Sequence, residues 1–230
     1  MQDKSYYDRL YSVQDSVLKL IDNAETDFYL TGGTSLSRVY LYHRYSDDLD
    51  FFVNNSTLFP LFVEKISKVL KEAYKNNLEI ITTAESFVRL SVFDNDVLLK
   101  LDFVNDITFH IGELNSWEKY SKIDNPLNIL SNKISALPRN AEKDVADILF
   151  LSYHYQFNWE TIINDAQEKD LWVNPIDVSS MIESFPVSLF DSVIWIKKPD
   201  YKKAEKDIKI IAKDILLGSD NSRFGNDKNE

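Results

Sequence analysis

The chain has 230 residues, 44% of them hydrophobic and 13% aromatic, which suffices for one large packed core or two small ones and is too apolar for a disordered chain. A formal net charge of −11 argues against a protein that coats nucleic acid over its whole surface, while leaving room for a local basic face. Zero cysteines exclude disulfides, thiolate zinc and a cysteine nucleophile. The three histidines (His43, His110, His154) are scattered, so a bound metal is expected on carboxylate oxygens, as suits Mg²⁺ or Mn²⁺.

No apolar run of about 18 residues occurs, and the opening MQDKSYYDRLYSVQDSVLKL lacks the pattern of an export signal. The expectation is a cytoplasmic protein. Tyr7, Leu10, Tyr11, Val17, Leu18 and Ile21 recur at helical spacing over Tyr6 to Ile21. DFYLTGG follows as a short buried strand ending in a turn, and TSLSRVYLYHRY as a helix with Thr34 as its cap and Leu36, Val39 and Tyr40 inward. DLDFFV reads as a strand, and LFPLFVEKISKVLKEAYK as a helix with proline near its start. LEIITTA, SFVRLSVF and VLLKLDFV read as strands, the last two joined by a hairpin turn at Asp94-Asn95-Asp96. After about residue 112 the strand signal fades. NPLNILSNKISAL, AEKDVADILFLSYHY and WETIINDAQEKD read as helices, broken at Pro138 and Asn158, and YKKAEKDIKIIAKDILL as a last helix closed by Gly218. The polar tail SDNSRFGNDKNE reads as disordered. The expected class is α+β: a mixed sheet with flanking helices over residues 1–112, then a helical half over 113–218, then the tail at 219–230.

The most informative stretch is YLTGGTSLSRVYLYHRYSDDLDFFV, which spends two of only five glycines side by side. A strand running through Gly32-Gly33 into a helix exposes backbone N–H groups at a helix start, a favourable place for phosphate, and the hydroxyls of Thr34 and Ser35 add donors. The next strand then presents Asp48 and Asp50 on one face, with Leu49 turned into the core. Asp47 takes the other face and reads as structural. Two carboxylates about 6–7 Å apart along a strand, opposite a phosphate-binding turn, make a site for Mg²⁺ on a triphosphate. A third acid is expected from a neighbouring strand, and VLLKLDFV supplies Asp102 among Leu99, Leu101 and Phe103.

The order G-G-T-S, H-R-x-S-D-D-L-D-F-F, K-L-D-F-V resembles the nucleotidyltransferase superfamily, and within it the AbiEii/AbiGii-type toxins of abortive-infection toxin–antitoxin systems, the group that includes the MenT toxins. The resemblance covers about residues 28–155. It implies a nucleotidyltransferase-type fold whose helical half completes the active-site cleft, and transfer of a nucleotide from NTP with release of pyrophosphate. It implies that Asp48, Asp50 and Asp102 hold metal, and that Gly32, Gly33, Thr34, Ser35, Arg44 and Ser46 bind nucleotide. NKISALPRNAEKDVADILFL is similar to the family's lysine–arginine–aspartate block at Lys133, Arg139, Lys143, Asp144 and Asp147. By residue pattern alone Lys133 is a solvated lysine, and Asp144 and Asp147 are acids sharing a face near a helix start. The resemblance instead implies that Lys133 meets the triphosphate, that Arg139 binds nucleotide, and that Asp144 and Asp147 shape the pocket or orient the incoming nucleophile. It also implies an antitoxin partner that opposes the toxin without a stable complex.

The acceptor expected from the resemblance is RNA, especially the 3′ end of tRNA. A small molecule, a protein hydroxyl, or a non-catalytic nucleotide-binding role remain as alternatives. Lys65, Lys68, Lys71 and Lys75, and again Lys202, Lys206, Lys209 and Lys213, form helical stripes. Each stripe reads either as the solvent face of an amphipathic helix or as a surface for RNA.

Overall fold

The computed structural model describes residues 4–226. It divides into two compact units, Met1–Ser35 with Ser46–Asn125, and Leu36–Tyr45 with Pro126–Glu230.

The first unit holds helix α1 (Lys4–Asp22), strand β1 (Tyr29–Thr31), the short helix α2 (Gly32–Ser35), β2 (Leu49–Asn54), α3 (Phe59–Tyr74), β3 (Leu78–Thr83), β4 (Phe87–Asp94), β5 (Val97–Asp106), β6 (Asn115–Trp117) and β7 (Tyr120–Ile123). The seven strands form one mixed sheet in the order β3-β4-β5-β2-β1-β7-β6. β2 runs parallel to β5 and β1 parallel to β7, and the other pairs are antiparallel. The expected alternation sets the faces. Leu49, Phe51 and Val53 of β2, and Leu99, Leu101 and Phe103 of β5, are buried. Phe51 and Phe103, paired across β2 and β5, stack with ring centroids 5.2 Å apart, and Phe28 meets Phe103, Phe59 and Phe62 edge-on. One sheet face is thereby committed to an apolar core with α1 and α3, which contribute Leu10, Leu18, Ile66 and Leu70.

The hairpin lies where the sequence places it, with Asp94 opposite Val97 and Asn95 at φ +53°, the left-handed conformation such a turn needs. Two strands were missed. β6 and β7 are three and four residues long, too short for a period-2 signal, although Tyr120 and Ile123 are buried.

The second unit begins with a π-helical stretch, Leu36–Leu41, followed by α4 (Pro126–Ser135), α5 (Glu142–His154), α6 (Trp159–Lys169), α7 (Pro175–Glu183) and α8 (Tyr201–Leu217). The regular helix expected from Thr34 is not what forms. After one α-helical turn at Gly32–Ser35 the helix widens, and the Tyr42 N–H donates to the Ser37 carbonyl five residues back. Pro138 sits in a 3₁₀ turn between α4 and α5, closed by Asn140 at φ +52°. α6 starts at Asn158, whose side chain accepts from the Thr161 N–H, and α8 ends at left-handed Gly218, both as read from the sequence. α7 was missed despite a legible start, Asn174 accepting from the Asp177 N–H ahead of Pro175. Leu130, Leu149, Trp159, Ile162, Ile208 and Ile211 are among the core residues these helices share.

The tail read as disordered makes specific contacts in its described part. Asn221 is buried, and its amide donates to the carbonyls of Ser152 and Tyr155; the Gly225 N–H donates to the Tyr153 carbonyl. The start of the tail is thereby anchored through Asn221, whose side chain satisfies two carbonyls near the end of α5, while Asp220, Ser222 and Phe224 stay exposed. The expected disorder of residues 227–230 lies outside the described residues.

Candidate functional site

In the first unit the polar residues collect on the sheet face opposite the phenylalanine core. Strand register puts them in a row: Arg89 of β4 pairs with Asp102 of β5, Asp102 with Asp50 of β2, and Asp50 with Thr31 of β1. Directly paired residues project to the same face, so four strands contribute one polar side chain each to a single line. Leu30 pairs with Ile123, which carries the line one strand further to Asp124. Asp124 is fully buried, and its carboxylate accepts from Thr31 Oγ1 at 2.6 Å and faces His110 Nε2 at 3.1 Å. Asp48 lies immediately before β2, next to this line.

The tandem glycine is explained by the same row. Gly32 has φ +67°, a conformation costly for any other residue, and a β-carbon there would run into the Asp50 carboxylate. Its hydrogen atom leaves the space that Asp50 fills. Gly33 sits within α2. Thr34 does not cap a helix or present its hydroxyl outward; it is buried and donates to the backbone carbonyl of Asp48, fixing the approach to β2. Ser35 is fully buried, and its Oγ has no hydrogen-bond partner. Four residues of α2 before the π stretch make a weak dipole, so the helix-start part of the phosphate expectation is reduced. Ser46 is buried, its N–H donating to the Tyr11 hydroxyl and its carbonyl accepting from Gln14 Nε2. Asp47 accepts from the Tyr7 hydroxyl at 3.0 Å, the structural part expected of it.

Asp102 is already engaged. Arg89 Nε and Nη2 reach its two oxygens at 2.7 and 2.6 Å, a bidentate fork. The bond to Asp102 holds the Arg89 guanidinium above its ordinary basicity, and the charges of Asp102, Asp48 and Asp50 add to this. Among the described residues, no group of three or more carboxylates and imidazoles is gathered as a ready metal cage. The donor set nevertheless suits a hard divalent cation. Its oxygens come from acids at neighbouring positions of one face, and a cationic guanidinium already stands against one of them.

In the second unit the lysine–arginine–aspartate block is drawn into one buried ion cluster. Lys133 of α4 lies 2.8 Å from both Asp144 and Asp147 of α5. Arg44 forks onto Asp147 with two bonds of 2.7 Å, and His43 Nε2 meets the same carboxylate at 2.8 Å. Arg139 forks onto Asp144 at 2.6 and 2.7 Å, with 59% of its side chain exposed. Lys133 is thus not a solvated lysine. Arg44, expected at the nucleotide, is buried and given to Asp147, its Nη1 donating to the Tyr45 carbonyl.

Burial alone would raise the carboxyl of Asp147, but it is outweighed by the charges of Arg44 and Lys133 and by bonds from His43 and Arg44, which hold the group well below the usual carboxylate range. For Lys133, burial is outweighed by Asp147 and Asp144, which raise its basicity. For His43, burial prevails and pushes it below its ordinary value, so the ring is neutral with Nε2 donating to Asp147. Its Nδ1 is then a buried acceptor with no partner. Three permanent cations face two carboxylates, leaving a surplus of one positive charge.

The structure therefore brings Asp50 and Asp102 together as neighbours, sets Gly32 against Asp50, and ties Lys133, Arg139, Asp144, Asp147 and Arg44 into one network. Sequence reasoning missed Arg89, Thr31, Asp124, His110 and His43. Only Arg89 had a usable signal, since counting back from the Asn95-Asp96 turn places it opposite Asp102.

The sequence matches the family described as nucleotidyl transferase AbiEii toxin, type IV TA system, over residues 20–209. That span is most of the chain, and the protein belongs to this family of toxin nucleotidyltransferases. No curated protein matches the chain. Among solved structures it is similar to JHP933 from Helicobacter pylori, at 19% identity and a TM-score of 0.62 over 94% of each chain. It is also similar to a candidate nucleotidyltransferase from H. pylori, at 20% identity and a TM-score of 0.61 over 94% of this chain and 96% of that one. The shared fold is the nucleotidyltransferase fold, as the sequence implied.

Proposed function

From family membership and the carboxylate row, we propose that this toxin transfers a nucleoside monophosphate from an NTP to an RNA end, the 3′ end of tRNA above all, and releases pyrophosphate. The observation that carries the reading is the direct pairing of Asp50 with Asp102 on one sheet face, with Asp48 alongside and Gly32 clearing space for Asp50. Asp48 and Asp50, with Asp102, would hold Mg²⁺ or Mn²⁺, which supplies charge neutralisation of the triphosphate. The chain's own residues do the rest. The acceptor oxygen bonds to the α-phosphorus, the bond from that phosphorus to the leaving pyrophosphate breaks, and the acceptor proton passes to an Asp102 oxygen. Gly32, Gly33 and the unpaired Ser35 hydroxyl are the phosphate-side candidates. The ion cluster of Arg44, Lys133, Arg139, Asp144 and Asp147, with its surplus positive charge, suits the binding of phosphate through the exposed part of Arg139.

RNA as acceptor is supported by the two lysine stripes. Lys65, Lys68 and Lys71 on α3, Lys75 just past its end, and Lys202, Lys206, Lys209 and Lys213 on α8 are all exposed, although Lys209 is partnered by Glu205 at 2.9 Å. An antitoxin that counteracts the protein without a lasting complex, and action in the cytoplasm where NTP and tRNA are found, complete the reading. Among the described residues no helix is long and apolar enough to cross a membrane.

The test is label transfer from each of four α-³²P NTPs into total tRNA with Mg²⁺ or Mn²⁺, with Asp50→Asn as control. Label in RNA from the native protein and none from the variant is the expected result. Pyrophosphate release in cell extract without labelled RNA would move the acceptor to a protein or small molecule. Silence in both assays would overturn the enzymatic reading.

A further inference from the structure

Asp102 stands between two possible partners of opposite character: Asp50 on one neighbouring strand and Arg89 on the other. Packed beside Asp50 with no cation near, its negative charge would be repelled. The Arg89 fork removes that repulsion by covering both Asp102 oxygens. The same fork takes the open end of the carboxylate, where a divalent cation would chelate, and a guanidinium and a divalent cation repel each other. Both cannot be held there at once.

Nor is Arg89 locked in place. Its side chain is 39% exposed, against 16% for Asp102 and 2% for Arg44 in the buried cluster. Phe87, two residues earlier on the same face of β4, lies with its ring centroid 5.5 Å from the Arg89 guanidinium carbon and offers a resting place when the fork opens.

We propose that Arg89 is an internal counter-cation, which holds Asp102 in the resting protein and must release it before Asp102 can join Asp48 and Asp50. The inference rests on the function proposed above, and it makes Arg89 a positioning residue that sets how tightly the third carboxylate is available. Removing Arg89 then has two effects of opposite sign. The resting protein loses stability, because Asp102 is left beside Asp50 without its fork. Affinity for a divalent cation rises, because no competitor has to leave. A merely structural cross-strand pair would give the first effect without the second.

Mn²⁺ titration followed by the electron paramagnetic resonance of free Mn²⁺, at constant ionic strength, separates the two. Native protein, Arg89→Gln, Arg89→Lys and Arg89→Gln/Asp102→Asn are compared, with melting curves with and without Mn²⁺. Arg89→Gln is expected to bind Mn²⁺ about tenfold tighter than the native protein, within the usual range of coupling between exclusive ligands, with a lower melting temperature without Mn²⁺ and a larger rise on adding it. Arg89→Lys, a point charge that cannot fork, is expected between the two and serves if Arg89→Gln fails to fold. The gain should vanish in the double variant. Equal Mn²⁺ affinity in the native protein and both single variants, with label transfer intact, overturns the role of Arg89 alone. No Mn²⁺ binding by any variant, with no transfer by the native protein, overturns the proposed function together with it.

Discussion

Gly32→Ala is the sharpest test of the link between the glycine turn and the acid row. Two costs are involved. Placing alanine at φ +67° costs about 1–2 kcal/mol. The new β-carbon must also displace the Asp50 carboxylate, an overpacking term of about 1–3 kcal/mol. The sum, about 2–5 kcal/mol, corresponds to a melting temperature about 4–20 °C lower for a chain of this size. Gly225 separates the terms. It has φ +79° and open space for 4 Å around the place a β-carbon would take, so Gly225→Ala should show backbone strain alone. A second separation uses Asp50→Ala. Truncating Asp50 leaves only its own β-carbon, 3.4 Å away and an ordinary contact, so Gly32→Ala in that background should lose the overpacking term. Thermal or urea melts of the single and double variants give the coupling directly. A Gly32→Ala cost equal to that of Gly225→Ala, and unchanged by Asp50→Ala, would refute the claim that Gly32 exists to make room for Asp50.

Asp147→Asn leaves Arg44 buried without its carboxylate and Lys133 with Asp144 alone, and should cost about 3–5 kcal/mol, whereas Arg139→Ala, more than half exposed, should cost under about 1 kcal/mol; melts of the two side by side check the contrast. His43 is held neutral below its ordinary value, so the unfolded chain binds the extra proton first and stability should fall with pH by up to about 1.4 kcal/mol per unit below about pH 6.5. His43→Gln should flatten that slope in pH-dependent melts whatever it does to the absolute stability. Asp147 acts in a lower window: its depressed carboxyl contributes stability at neutral pH that is lost as pH falls below about 3.9 towards its folded value. Asn221→Ala strips two carbonyls of their donor and should cost about 1–3 kcal/mol in the same melts, against no effect for a disordered tail. Changing Lys202, Lys206, Lys209 and Lys213 together to Gln should weaken tRNA binding and flatten its salt dependence, by about 0.9 in the log–log slope for each duplex phosphate that is no longer neutralised.

What was legible in the sequence was local. Alternation in DLDFFV and VLLKLDFV fixed which side of each strand carries Asp50 and Asp102, because a period of two survives any tertiary context that buries one face. The caps at Asn158 and Gly218 were equally local. What escaped depends on partners far along the chain. Nothing near Thr31 announces Asp124, which reaches it through a parallel pairing more than 90 residues away. By residue pattern alone Lys133 read as solvated, because its own helix gives no sign of the carboxylates on α5, and the motif whose resemblance put Arg44 at the nucleotide gives no sign of Asp147, about a hundred residues distant. The π stretch escaped because its residues have ordinary helical character, and the widened turn is imposed on them.

The aspartates also show why motif matching cannot by itself assign roles. Asp102 and Asp147 each sit in a family motif and each accept a bidentate arginine, yet their surroundings give those arginines different freedom. Exposed ion pairs contribute at most about 1 kcal/mol, so the half-exposed Arg89 fork can be exchanged for another cation at little cost. Breaking a buried pair costs about 3–5 kcal/mol, so the Arg44 fork stays closed in nearly all of the folded population. The same pairing of residue types thus makes one carboxylate available and keeps the other as framework. Burial decides between them, and burial is what a single sequence reports least well for charged residues.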